Sequence, residues 1–147
     1  MNATVLAGAA AGLTLALGVP AAYAAPLTIV VDNVCSAKGE IDLTVFVADN
    51  WLSDRSEGRD RQLPAQAGSV TFHFDLPPGT YAAAAFHDAN GNGKFDKNLV
   101  GWPLEGFGFS NKAQVRFFRP PNFAAASFTL PPEGATEMLQ LDYWSKC

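Results

Sequence analysis

The sequence predicts an all-β fold, and three observations carry that prediction. Short apolar or alternating segments recur between turn-forming clusters such as Pro77-Pro78-Gly79 and Pro131-Pro132-Glu133-Gly134. No stretch after residue 25 repeats apolar residues at the 3.6 period of an amphipathic helix. The composition, 48% hydrophobic and 16% charged over 147 residues, is that of one ordinary globular domain.

Taken in order, residues 27–34 are a nearly continuous apolar run and residues 40–48 an alternating one, with Ile41, Leu43, Val45 and Val47 on one face. With only Lys38-Gly39 and its neighbours between them, they predict a hairpin. Residues 50–68 carry Asp54, Arg55, Glu57, Arg59, Asp60 and Arg61 without periodicity, and predict a solvated excursion holding at most one helical turn, with Trp51 and Leu52 folding back. Residues 69–76 alternate strictly, Val70, Phe72 and Phe74 inward and His73 outward. Residues 80–87 follow the Pro-Pro-Gly turn as an apolar strand, short despite the helix-favouring Ala82 to Ala85. Beyond a long loop, residues 115–118, 123–130 and 135–144 complete the set, Leu139, Leu141 and Tyr143 sharing a face. The sum is an antiparallel β-sandwich of about seven strands, immunoglobulin- or transthyretin-like, with one long ordered loop.

The ends of the chain speak to compartment. Residues 1–24 lack Asp, Glu, Lys and Arg, residues 5–19 form an apolar stretch, Pro20 ends it, and Ala22-Tyr23-Ala24 is a small-x-small cleavage signal. This predicts a secretory signal peptide over residues 1–24 and a single β-sandwich domain over 25–147, without a transmembrane segment in the mature chain. The alternative is an uncleaved anchor, since residues 4–25 are just long enough to span a bilayer and Met1 to Thr4 lack the usual Lys or Arg. The expected location is periplasmic or secreted. There Cys35 and Cys147, the two cysteines, are expected to pair, with two free thiols as the alternative. The net charge of −4 and an isoelectric point near 5.0 exclude nucleic acid as a partner, because no basic stripe is present to neutralise phosphates.

The chemistry concentrates in Asp88-Ala89-Asn90-Gly91-Asn92-Gly93-Lys94-Phe95-Asp96. Oxygen ligands fall at alternate positions, Asp88, Asn90 and Asn92, followed by Gly93 for the sharp turn, the Lys94 carbonyl and Asp96. Calcium takes six to eight hard oxygens, and a tight loop aims alternate residues at one centre. The position where an EF-hand has its bidentate Glu is Leu99, and a strand leads in. The reading is therefore a calcium loop inserted in an extracellular β-domain, with Glu105 as a later ligand and affinity of about 10⁻⁴–10⁻³ M. A metal-free turn is the alternative, because Asn90-Gly91 and Asn92-Gly93 adopt left-handed conformations without an ion.

The run P-P-G-T-Y-A-A-A-A-F-H-D-A-N-G-N-G-K-F-D, then G-W-P-L-E-G-F-G-F-S-N and R-P-P-N-F-A-A-A-S-F, resembles the secreted bacterial domain-of-unknown-function family 2141 over residues 27–143. The resemblance implies an exported β-sandwich and no established activity, so it carries over no catalytic residue. The charged stretch 50–68 and the cysteines depart from it.

Trp102, Phe107 and Phe109, spaced by glycines, offer either a stacking surface for a partner or rings that pin the loop over the sandwich. Catalytic signatures are absent: no G-x-S-x-G, no metal-ligand His pair, and His87 reads as a hydrogen-bonding core residue. The sequence thus points to a non-enzymatic exported module with a calcium loop, binding a glycan or protein of the envelope or exterior. The alternatives are a hydrolase of an envelope polymer, with carboxylates between Asp88 and Glu105, or a purely structural accessory domain.

Overall fold

The structure is a computed structural model that describes residues 23–54 and 57–145. The expected signal segment up to residue 22 and Cys147 lie outside the described residues. Eight strands form two sheets. They are β1 (Ala25–Val34), β2 (Glu40–Phe46), β3 (Asp60–Pro64), β4 (Gly68–Leu76), β5 (Gly79–Asp88), β6 (Phe107–Phe109), β7 (Ser127–Leu130) and β8 (Ala135–Gln140). One sheet runs β4-β1-β8; the other runs β3-β2-β5-β6, with β7 also on β5.

The core lies between the sheets. Leu27, Ile29 and Val31 of β1, with Phe72 of β4 and Leu139 of β8, face Ile41, Leu43 and Val45 of β2 and Ala83 and Ala85 of β5. The alternation of β4 is clean because its other face meets solvent. β5 reads as a continuous apolar run because both its faces are covered: Tyr81, Ala83 and Ala85 belong to the core, and on the other face Ala82 is buried and Phe86 packs against Phe95 of the long loop.

The sandwich is of the expected kind, with four corrections. First, β1 and β2 do not form a hairpin, since they belong to different sheets. A bulge between Asp32 and Val34 turns the chain out of the first sheet, Asn33 sitting at φ 61° with its Nδ2 donating to the Leu141 carbonyl at 2.7 Å. The crossing is tight: a Cβ on Gly39 would meet the Asp88 carbonyl oxygen at 1.9 Å. Second, β1 pairs with β8 in parallel, Leu27 opposite Ala135, while the other strand pairs are antiparallel. Third, the charged stretch contains β3, an exposed edge strand paired with β2. Edge strands carry charge because it discourages further pairing, and the same charge hid this one. Fourth, residues 115–118 are not a strand, and the segment 123–130 divides into one helical turn, α1 (Phe123–Ala126), and β7. Asn122 caps α1, its Oδ1 accepting from the Ala125 N–H at 2.8 Å.

Trp51 does fold back, but onto the outer face of the second sheet. Its Nε1 donates to the Pro121 carbonyl at 2.9 Å, and its ring packs on Phe46, Phe109 and Phe123. No helix among the described residues is long and apolar enough to cross a membrane.

Candidate functional site

β5 ends at Asp88, whose side chain is fully buried at the mouth of the loop. Its Oδ1 accepts from the N–H groups of Gly91 at 2.7 Å and Asn92 at 3.1 Å, and its Oδ2 from Gly93 at 2.6 Å. Three main-chain donors on one carboxylate wind the loop into a tight coil. Gly91 and Gly93, both at φ 72°, supply the left-handed positions that coil requires. Above it, the Asn90 and Asn92 side-chain amides both donate to Asp96 Oδ2, at 2.7 and 2.8 Å. Asn90 Oδ1 accepts from Asn92 N–H and Asn92 Oδ1 from Lys94 N–H. Asn90, Asn92 and Asp96 therefore converge on one point, while Asp88 is turned onto the loop's own amides and the Lys94 side chain is exposed.

Glu105 joins them from the far side of the loop. It is buried, with Oε2 accepting from Asp96 N–H at 3.1 Å and Oε1 without a hydrogen-bond partner. Burial pushes its carboxyl above the usual range, against the hydrogen bond from Asp96 and the nearby Ala89 main chain, and the negative fields of Asp88 and Asp96 add to the rise. Among the described residues no three His, Cys, Asp or Glu side chains form a metal-ligating group. The oxygen set here is mixed, carboxylates with amides.

The aromatic residues expected in this region are divided. Phe107 is buried and Phe109 half-buried, both on β6, whereas Trp102 is partly exposed at the rim. Phe107 and Phe109, together with residues the sequence did not single out, wall a cleft of about 510 Å³ on the outer face of the second sheet, and Trp102 packs against one of its lining rings, Trp144. Phe86, Phe95 and Phe107 stack in series with centroids 5.7 Å apart, and Trp144 packs on Phe107 at 5.2 Å and on Trp102 at 4.9 Å. Two carboxylates, Asp42 and Asp54, stand in this largely apolar wall. Asp42, on the outward face of β2, accepts from Gln62 Nε2 through Oδ1 at 2.9 Å, and its buried Oδ2 has no hydrogen-bond partner among the described residues. Burial raises its carboxyl, with smaller contributions from Asp88, Glu40 and Asp60, against the Gln62 bond. Alternation along residues 40–46 places Asp42 outward; only the tertiary packing makes that position half-buried and its Oδ2 inaccessible.

His87 takes the expected core role. Its Nε2 donates to the Lys38 carbonyl at 2.7 Å, and its Nδ1 lies 2.9 Å from the Tyr143 hydroxyl, which accepts from Cys35 N–H at 3.2 Å. A neutral ring protonated at Nε2 satisfies all of these contacts. Burial raises the Tyr143 phenol, against the Cys35 hydrogen bond. His73 is exposed, 3.3 Å from Thr28 Oγ1. Cys35 lies just past β1, its Sγ 3.9 Å from His87 Nδ1, and no cysteine among the described residues is free.

No curated protein and no solved structure matches the chain. A family of uncharacterized proteins conserved in bacteria, DUF2141, matches residues 29–138, a span that runs from within β1 to within β8 and takes in the looped site and most of the cleft wall. The chain belongs to the DUF2141 family.

Proposed function

We propose that this protein is an exported, non-enzymatic binding module in which a calcium ion organises the 88–105 loop over the aromatic cleft. The observation that carries the reading is Glu105. A buried carboxylate with one unpartnered oxygen, in the field of two further carboxylates, is costly unless a cation neutralises it. Asp88, Asn90, Asn92 and Asp96, the Lys94 main-chain carbonyl and Glu105 are the hard-oxygen donors that calcium takes. Export is supported by the residue pattern of 1–24, and the even cysteine count of two accords with an oxidising destination.

The cleft suits a glycan of the envelope or exterior. Flat rings stack on sugar faces, and the free Asp42 Oδ2 accepts from a hydroxyl without disturbing Gln62. Calorimetric titration with a panel of oligosaccharides, in calcium and in chelator, tests this. The expected result is binding in calcium that weakens in chelator and in Asp42→Asn. Binding of envelope peptides with no response to any oligosaccharide would replace the glycan by a protein partner.

A second reading, hydrolysis of an envelope polymer, draws on the same residue. A carboxyl raised by burial in a cleft suits a general acid, and Asp54 lines the same cleft. Release of shortened products during the titration, abolished in Asp42→Asn, would favour it over simple binding.

A further inference from the structure

Two turns project from the loop region, and both carry their apolar residues at the tip. The first is built on Asn98. Its carbonyl accepts from Gly101 N–H at 2.9 Å, and its Oδ1 accepts from the N–H groups of Val100 at 3.1 Å and Trp102 at 2.8 Å. Leu99 and Val100 stand at its apex, 107% and 86% exposed. The second is a two-residue reversal closed by Arg116 N–H to Arg119 O at 3.1 Å and Arg119 N–H to Arg116 O at 2.9 Å. Its central residues are Phe117 and Phe118, 93% and 73% exposed, at φ 50° and 59°.

That reversal is the opposite of what folding alone would select. A turn with two positive-φ centres favours Asn-Gly, and phenylalanine there is strained. Strain of this kind persists where function holds it, and here the two rings gain little burial in return. The turns are neighbours: the Trp102 ring at the foot of the first packs on Phe118 of the second, centroids 5.5 Å apart. The apolar tips thus form one convex patch with tryptophan at its base.

The charge along this stretch of chain is reversed relative to the whole. The net charge of the whole is −4, yet between residues 97 and 119 the charged residues are Lys97, Lys112, Arg116, Arg119 and a single acid, the buried Glu105. Neither Arg116 nor Arg119 has an ion-pair partner among the described residues, and both flank the exposed phenylalanines, while Lys97 lies over the Phe95 ring at 5.4 Å. An exposed apolar tip flanked by two unpaired arginines fits a soft anionic surface, which closes around protruding side chains and needs no matching pocket. Tryptophan at the base of such a tip lies at headgroup depth.

We propose that the 98–101 and 116–119 turns dock this domain on an anionic phospholipid surface, Leu99, Val100, Phe117 and Phe118 entering the headgroup boundary while Arg116, Arg119 and Lys97 contact lipid phosphates. The docking is separate from the calcium reading and is tested in chelator, so that one can fail without the other.

The test is co-sedimentation of the full chain with vesicles of phosphatidylglycerol or of phosphatidylcholine, followed in parallel by tryptophan emission. The protein is expected to sediment with phosphatidylglycerol and not with phosphatidylcholine, to shift its emission to the blue, and to be released by added salt. Phe117→Ser/Phe118→Ser is expected to weaken binding by about tenfold or more with an unchanged melting temperature, as is Leu99→Ser/Val100→Ser on the neighbouring turn. Arg116→Gln/Arg119→Gln is expected to weaken binding and flatten its salt dependence. Absence of sedimentation with phosphatidylglycerol, equal sedimentation with both lipids, or full binding by the Phe117→Ser/Phe118→Ser variant would overturn the proposal.

Discussion

Glu105 Oε2 and the Asp96 N–H are joined at 3.1 Å, and the Leu104 N–H returns to the Asp96 carbonyl at 3.0 Å. These two bonds close the foot of the projecting 97–104 turn and tie it to the coil that Asp88 winds. The coil in turn starts at the last residue of β5, a strand whose second half has no exposed residue. Rigidity therefore passes from the sandwich through Asp88 to the loop, and through Glu105 to the aromatic wall.

Asp88 is expected to hold the loop whether or not a metal is present. Asp88→Ala removes the acceptor of three main-chain donors and is expected to cost about 3 kcal/mol, measured by urea unfolding in chelator. A loss below a few tenths of a kcal/mol would mean the coil is held by the glycines alone.

Asp42 gives a pH signature. Its folded carboxyl lies above the ordinary value of 3.8, so its contribution to stability is fully present below that value and is lost as pH rises through the folded value. Asp42→Asn keeps an acceptor for Gln62 and removes the titration. The stability of the variant relative to wild type is therefore expected to rise from acid toward neutral pH and then level off, in melts run across that range. A flat difference would show that the Oδ2 is not held away from water.

Gly108 lies where β6 meets the end of β8. An added Cβ would stand 2.2 Å from the Gln140 carbonyl oxygen, a main-chain atom that cannot step aside. Gly108→Ala is expected to destabilise by about 2–3 kcal/mol, read by chemical denaturation, while Gly91→Ala meets no atom within 4 Å and strains only its backbone.

A bridge from Cys35 to Cys147 would close residues 35–147 into one loop. Cys35→Ser is expected to lower stability by about 3–4 kcal/mol, and alkylation without reductant is expected to leave the wild-type mass unchanged. Alkylation of both thiols in the unreduced protein would remove the bridge and the oxidising compartment it implies.

The sequence made the inner layers legible because their signals are local. The alternation of Val70, Phe72 and Phe74, the turn chemistry of Pro77-Pro78-Gly79 and the Asp-x-Asn-x-Asn-Gly spacing each depend on a few adjacent residues. What stayed hidden depends on distant partners. β3 is a strand because β2 offers it an edge, and its exposed charged residues alternate nothing. β6 is three residues long and exists because Phe86 and Asp142 face Phe107. Asp42 is an unremarkable outward acid until tertiary packing covers its Oδ2, and Phe117 and Phe118 occupy backbone conformations that their residue type disfavours.

The central claim, that a calcium ion neutralises the buried Glu105 and orders the loop, is tested most directly by calorimetric titration of chelator-stripped protein with calcium, comparing wild type with Glu105→Gln. The wild type is expected to bind one ion at about 10⁻⁴–10⁻³ M and to melt at a higher temperature when loaded. Glu105→Gln, relieved of a buried unpaired charge, is expected to be about 1 kcal/mol more stable than wild type in chelator and to lose the calcium response. Absence of calcium binding by the wild type, or identical binding by both proteins, would contradict it.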